Sequence, residues 1–290
     1  MTHISLRLSA SVVSCLQKRT ETMDFTGKVV VVTGAASGIG EACVREFAAR
    51  HAAVAMVDCK AGAGEQTVAE LRQKGARLKY FQADVSSRAE VERLVPQVVG
   101  SFGGIDVLAN NAGIQRYGSA TTTSEEEWDE VMSVNLKGAF LMSKYAIPEI
   151  IKRGGGAIVI TGSVQSVTAQ QNSLAYVTSK HGLLGLMRSI ALDFGRQNVR
   201  ANCVLPGAID TPLLRSAASR DSDPEKVLGD CAGLHIRGTL GQPEEVARVI
   251  VFLASDLASF VTGAAYAVDG GLLVPAGGMA FQGAGLGAPK

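Results

Sequence analysis

The sequence predicts an α/β fold: one doubly wound domain in which about seven parallel strands are flanked by helices. Three observations point there. From Lys28 onward, short β-branched apolar runs alternate with segments of helical period, the signature of βαβ units. A glycine-punctuated turn follows the first such run and opens a helix. No linker-like run rich in Pro, Ser or Gly separates the strands, so the pattern closes on one domain.

The strands are read at Val29–Thr33, Ala53–Asp58, Leu78–Ala83, Ile105–Asn110, Ala157–Ser163, Arg200–Leu205 and Ala265–Val268. Right-handed crossovers between parallel strands run mostly through helices. The segments Ile39–Arg50, Gly64–Lys74, Ala89–Phe102, Glu125–Arg153, Ala175–Arg196 and Pro243–Ser255 have that character. In the fifth, Leu183, Leu186, Ile190 and Phe194 recur at three- and four-residue steps and make one apolar face. The last carries Val246, Val249, Ile250, Phe252 and Leu253, more apolar surface than one face against a sheet requires. Association with other copies is expected from it, the alternative being burial within its own chain. The segment from Gly207 to Gly241 is long, polar and punctuated by glycine, and is expected to be a mobile binding loop.

Composition narrows the function classes. With 47% hydrophobic residues over 290 positions, the chain has ample material for a core and disorder is a poor reading. Lys+Arg 28 against Asp+Glu 27 gives no electrostatic reason to expect a nucleic-acid or acidic-membrane partner. No uninterrupted apolar stretch reaches the ~18 residues of a membrane span. The longest candidate, Val246 to Ala258, is broken by Arg248 and Asp256 and reads as a buried helix. Five scattered cysteines (Cys15, Cys43, Cys59, Cys203, Cys231) form no CxxC pair and suit a reducing, cytoplasmic compartment. His3, His51, His181 and His235 make up neither HExxH nor a Cys/His ligand set, so no metal site is expected. Residues 1–22 are Ser-rich and carry Arg7, Lys18 and Arg19 with acid only at Glu21. That composition resembles a weak targeting presequence as much as a leader-like extension, and a flexible segment over residues 1–23 without catalytic role is expected.

The first strand runs directly into Thr33-Gly34-Ala35-Ala36-Ser37-Gly38-Ile39-Gly40 at the opening of a helix. Glycines there let the backbone turn tightly and approach a pyrophosphate, whose charge the free N–H groups and dipole of the helix start attract. Asp58 ends the second strand, 18 residues after Gly40. An acidic side chain at that place accepts hydrogen bonds from the adenosine ribose hydroxyls and repels a 2′-phosphate, which predicts NAD over NADP. The bland alternative is a turn aspartate. Strand three ends at Asp84-Val85 and strand four at Asn110-Asn111-Ala112-Gly113, and in a doubly wound sheet these carboxyl ends converge on one crevice.

Strand five ends at Ser163, and 13 residues later Tyr176 is followed by Lys180 one helical turn on. The i, i+4 spacing places phenol and ammonium on one face. A free tyrosine titrates near ~10, and a neighbouring cation is expected to draw that value down. Ser163 would then hold a substrate oxygen while Tyr176 gives or takes its proton.

Taken in order, Thr33-Gly-Ala-Ala-Ser-Gly-Ile-Gly40, Asn110-Asn-Ala-Gly113, Asn135, Ser163, Tyr176-Val-Thr-Ser-Lys180 and Pro206-Gly207 resemble the short-chain dehydrogenase/reductase family, over Phe25 to about Val274. The resemblance implies a Rossmann-fold domain over residues 24–274, followed by a tail at 275–290. It implies Tyr176 as acid/base, Lys180 as the group that lowers its pKa and binds the nicotinamide ribose, and Ser163 as donor to the substrate oxygen. Asn135 would hold a water that extends a proton relay. Gly34, Ser37, Gly38, Ile39 and Gly40 match the pyrophosphate loop, and Asp84 and Val85 the adenine contacts. Asn110, Ala112 and Gly113 match the strand-four wall, and Pro206, Gly207, Ile209 and Thr211 the segment that meets the nicotinamide amide. Relatives of this type are commonly homotetramers.

The function expected is therefore NAD-dependent interconversion of a secondary alcohol and a ketone. Gln115, Arg116, Gln165 and Gln171 follow strands four and five and should line the substrate crevice, where such amides suit a polyol or sugar. The alternatives are a 3-oxoacyl reductase, a hydroxysteroid dehydrogenase and, in another class, a non-catalytic NAD-sensing protein of the same fold.

Overall fold

The computed structural model describes residues 23–274. Its strands are β1 (Val29–Thr33), β2 (Ala53–Asp58), β3 (Leu78–Gln82), β4 (Val107–Asn110), β5 (Gly156–Thr161), β6 (Val199–Pro206) and β7 (Ala265–Val268). They form one sheet in the order β3-β2-β1-β4-β5-β6-β7, and every neighbouring pair is parallel. The helices are α1 (Gly38–Ala48), α2 (Glu65–Gln73), α3 (Arg88–Phe102), α4 (Glu125–Met132), α5 (Gly138–Lys152), α6 (Leu174–Phe194), α7 (Pro212–Ala218), α8 (Pro224–Gly233) and α9 (Pro243–Ala254).

The strands are apolar on both faces because helices cover both. In β1, Val29 and Val31 join a cluster with Val91, Leu94, Met142 and Leu183 of α3, α5 and α6. Val30 and Val32 point the other way, into a cluster with Val44 and Phe47 of α1 and Val246 and Ile250 of α9. Strands are added to one side of β1 as far as β3 and to the other side from β4 onward, so the crevice for a ligand opens between β1 and β4 at their carboxyl ends.

The rim of the sheet remote from that crevice is pinned by charged side chains. Asp106, 2% exposed, accepts the Val29 N–H at 2.8 Å and the Arg153 guanidinium at 3.2 Å. Arg200, at the start of β6, donates to the carbonyls of Leu253 (2.7 Å) and Ser255 (3.0 Å), closing the carboxyl end of α9.

Four expectations are corrected. The single helix Glu125–Arg153 is two helices joined by a widened π turn over Ser133–Lys137, where Gly138 N–H reaches back five residues to Ser133 O. The segment Gly207–Gly241 contains two helices rather than a structureless loop. Thr211 accepts the Leu214 N–H ahead of Pro212 in α7, and Asp223 accepts the Lys226 N–H ahead of Pro224 in α8. A capping side chain followed by proline was the available signal. Strand β5 ends at Thr161, and Ser163 caps a short 3₁₀ turn, Val164–Ser166. The apolar surplus of α9 is used within the chain: Val246, Ile250 and Leu253 are fully buried against α1 and the sheet, and Val249 and Phe252 pack on the same cluster. The extension at 1–22 and the tail at 275–290 lie outside the described residues.

Candidate active site

The glycine turn is built for close backbone approach. Gly38 has φ +55°, a conformation L side chains rarely adopt, and a methyl carbon on Gly40 would stand 2.0 Å from Gly34 O. Ser37 precedes α1 in an extended conformation, and Ile39 and Gly40 lie in its first turn, so the free N–H groups of this helix start face the crevice. Two residues that the spacing argument left without a role hold the turn against β4. Asn111 Nδ2 donates to Thr33 O (3.1 Å) and Gly34 O (3.3 Å), while Thr33 Oγ1 accepts the N–H groups of Asn111 and Ala112 at 3.0 and 3.1 Å.

Asp58 stands beside this turn at the end of β2. Its carboxylate accepts the Ala36 N–H and the Lys60 N–H, both at 3.1 Å, which leaves lone pairs to spare. Asp84 Oδ1 is spent on Ser86 N and Oγ, both at 2.8 Å, and Val85 packs under Gly138. Asn110 Nδ2 donates to Ala139 O and Ser143 Oγ of α5, tying the strand to a helix, while its Oδ1 is buried without a partner. Ala112 and Gly113 continue along the wall, with Gly113 beside Asn135 Oδ1 and Lys180 Nζ. Across the crevice, Thr211 closes on Gly38, while Pro206, Gly207 and Ile209 lead the chain there from β6.

Tyr176 and Lys180 lie on α6 facing the same crevice. Lys180 is buried; its Nζ sits 5.3 Å from the Tyr176 ring centroid and donates to Thr161 O at 2.8 Å. Burial pushes the Lys180 ammonium down to about 8. Burial also pushes the Tyr176 phenol up to about 12, with the Ser163 hydroxyl pulling the other way and Tyr117 adding to the rise. The downward pull expected of Lys180 does not figure: the ammonium is anchored on the Thr161 carbonyl, and burial of the phenol dominates. Ser163 accepts the Gln165 N–H at 3.1 Å, which fixes its hydroxyl at the mouth of the turn.

Asn135 occupies the π turn. Its Oδ1 accepts the Ile114 N–H (2.8 Å), and its Nδ2 donates to Ile114 O (2.9 Å) and Ser179 Oγ (3.0 Å). The amide therefore fastens the loop after β4 to α6, and its Oδ1, with a second lone pair, lies on the same side of Gly113 as Lys180 Nζ. Ser179, whose hydroxyl donates to Tyr176 O at 2.7 Å, extends this tie and was not legible from spacing.

The expected substrate wall is only partly assembled. Gln115 Nε2 donates to Ser173 Oγ (3.2 Å), and Gln165 Nε2 meets Gln170 Oε1 while its own Oε1 is buried without a partner. Arg116 is drawn away to Glu130 on α4 at 2.7 Å, and Gln171 is exposed. Tyr117, which the sequence did not single out, stands near Tyr176 with the Arg220 guanidinium 5.1 Å from its ring centroid. Among the described residues, no group of three His, Cys, Asp or Glu side chains is placed to hold a metal ion, and no helix is long and apolar enough to cross a membrane.

Residues 34–273 match a family model described as enoyl-(acyl carrier protein) reductase. The chain is 40% identical over 250 residues to the 2,5-dichloro-2,5-cyclohexadiene-1,4-diol dehydrogenase of Sphingobium indicum, covering 86% of this chain and 98% of that one. It is 38% identical over 252 residues to the 3-oxoacyl-[acyl-carrier-protein] reductase of Thermotoga maritima, covering 87% of this chain and all of that one (100%). The ligand-free aldohexose dehydrogenase of Thermoplasma acidophilum superposes with a TM-score of 0.80 at 37% identity, covering 92% of this chain and 98% of that one.

Proposed function

The chain belongs to the short-chain dehydrogenase/reductase family, and on that premise we propose that it interconverts a secondary alcohol and its ketone with NAD(H). The observation that carries the reading is the convergence of Tyr176, Lys180 and Ser163 on the crevice where the glycine turn of β1 meets the end of β4. The residues present fit a nicotinamide dinucleotide: a turn that tolerates no side chain at Gly40, a helix start above it, and a carboxylate at the end of β2. Such a cofactor, when bound, takes or returns the hydride of the carbinol carbon. Ser163 Oγ holds the substrate oxygen, and Tyr176 Oη removes its proton in oxidation and returns it in reduction. Lys180 orients the nicotinamide ribose and places a cation beside the phenol.

The substrate we favour is hydroxyl-rich, a polyol or sugar. Gln165 Oε1, buried and unpartnered, needs a donor such as a second hydroxyl, and a solved relative acts on an aldohexose. The 3-oxoacyl reductase among the relatives supports a second reading, for which an acyl thioester would be the best substrate. We place the catalytic domain at residues 24–274 and the protein in the cytoplasm as a homotetramer. The exposed Phe260 and Leu257 near β7, rather than α9, offer surface for association.

An NADH-production screen over polyols, sugars, hydroxysteroids and hydroxyacyl thioesters tests the reading, and the highest kcat/KM with a steroid or thioester would overturn the substrate class. Tyr176→Phe should leave NAD affinity within a few-fold and lower turnover roughly 10²–10⁴-fold, because only the proton-transfer group is removed. Retained turnover would take Tyr176 out of the mechanism.

A further inference from the structure

His235 belongs to none of the catalytic or cofactor residues expected from the sequence, yet it is 4% exposed and lies directly beneath the segment that leaves β6. Its Nε2 stands 3.0 Å from Ala208 N, and its Nδ1 stands 3.3 Å from Ala232 O. A backbone N–H donates and a carbonyl accepts, so Nε2 offers its lone pair to Ala208 and Nδ1 carries the hydrogen that faces Ala232. The socket leaves no slack. A methyl carbon on Gly207 would stand 2.5 Å from His235 Nε2, and one on Gly270 would stand 3.2 Å from His235 Cβ.

The same short segment is held from other sides by backbone alone. Gly207 N–H donates to Val268 O (3.1 Å), Gly241 N–H to Ala208 O (3.0 Å) and Asp210 N–H to Gly241 O (2.9 Å). Immediately downstream, Thr211 closes on Gly38 of the glycine turn. A shift of Ala208 therefore moves Ile209 and Thr211 relative to the crevice. Because His235 follows α8, it is also where the helical segment α7–α8 grips this wall.

We infer that His235 is a positioning residue that sets the nicotinamide-side wall of the crevice by holding the Ala208 amide, and so contributes to affinity for the nicotinamide half of the cofactor. The inference rests on the reading of Pro206–Thr211 as the segment that meets the nicotinamide amide. It predicts a selective effect. ADP-ribose keeps the adenosine and pyrophosphate but lacks the nicotinamide, so it reports on the glycine turn and Asp58 without the His235 wall.

The test is calorimetric affinity of the full chain for NADH and for ADP-ribose in three variants. His235→Phe keeps an aromatic ring, one atom larger, but offers no acceptor to Ala208, and should weaken NADH roughly 10-fold, about 1.4 kcal/mol, while ADP-ribose stays within about twofold. His235→Gln restores an acceptor and should return NADH affinity to within about threefold of the parent. Should the phenylalanine chain not fold, His235→Asn, which keeps a group near Ala232 but does not reach Ala208, reads the same pair of affinities. Equal weakening of both ligands makes His235 a purely structural residue and overturns the inference, as does no weakening of either. A parent protein that binds NADH no more tightly than ADP-ribose overturns instead the reading of Pro206–Thr211 on which the inference stands.

Discussion

Tyr176 is protonated at neutral pH, because burial pushes its phenol up to about 12. The neutral phenol is the donor form, ready for carbonyl reduction, whereas alcohol oxidation needs the phenolate. Below its pKa the phenolate fraction grows with pH, so kcat/KM for oxidation should climb from pH 7 to 10 while reduction is flat or declines. Initial rates in both directions across that window check the sign, and an oxidation rate independent of pH would remove phenol ionisation from the rate-determining step. Asp58 sets a second residue-scale expectation. NADP would bring a phosphate against a carboxylate that already orders the Ala36 and Lys60 amides. Asp58→Ser should narrow the NAD:NADP ratio of kcat/KM by roughly 10-fold or more, about 1.4 kcal/mol. An unmoved ratio would leave Asp58 as a turn residue only. At this scale the sequence was most legible where chemistry depends on local spacing, as between Tyr176 and Lys180. It was silent on Thr33, Asn111 and Ser179, whose partners lie far along the chain or on backbone atoms that only the folded state brings near.

Among the elements, α9 illustrates how a helix is fastened. Its apolar face is buried on α1 and the sheet, and its last carbonyls receive the Arg200 guanidinium. A planar fork serves several carbonyls at once, which a single ammonium does not. Arg200→Lys should therefore lower Tm by a few degrees, on the order of 1 kcal/mol or more, with kcat unchanged. Differential scanning calorimetry beside a steady-state assay decides it, and a fall in kcat without loss of Tm would be the wrong outcome. Strands were legible because burial on both faces leaves continuous apolar runs such as Val29-Val30-Val31-Val32. The π turn around Asn135 was not, since one extra residue in a helical period leaves no mark on composition. The helices α7 and α8 were not legible because they are too short to display a helical period, and only their Thr-Pro and Asp-Pro starts mark them.

At the scale of the whole molecule, the sheet order places every residue proposed for chemistry at one rim. Removing residues 1–22 should leave kcat/KM and Tm unchanged, because the seven described strands and every residue proposed for chemistry lie at Val29 or beyond; a truncated protein that melts lower would show that the extension packs on the fold. The two-ended arrangement of β4 has a consequence for how this chain can vary. Asp106, at one end of the strand, locks Val29 and Arg153, while a few residues on Ala112 and Gly113 border the crevice. Substitutions around Asp106, Arg153 and Arg200 trade only in robustness, and those beyond Asn110 trade in selectivity, so the usual conflict between durability and catalysis is spatially separated. In a mutant library selected for survival of heating, gains that cost no turnover should accumulate at the rim that carries Asp106 and Arg200, and the opposite rim should be left to diverge toward new substrates.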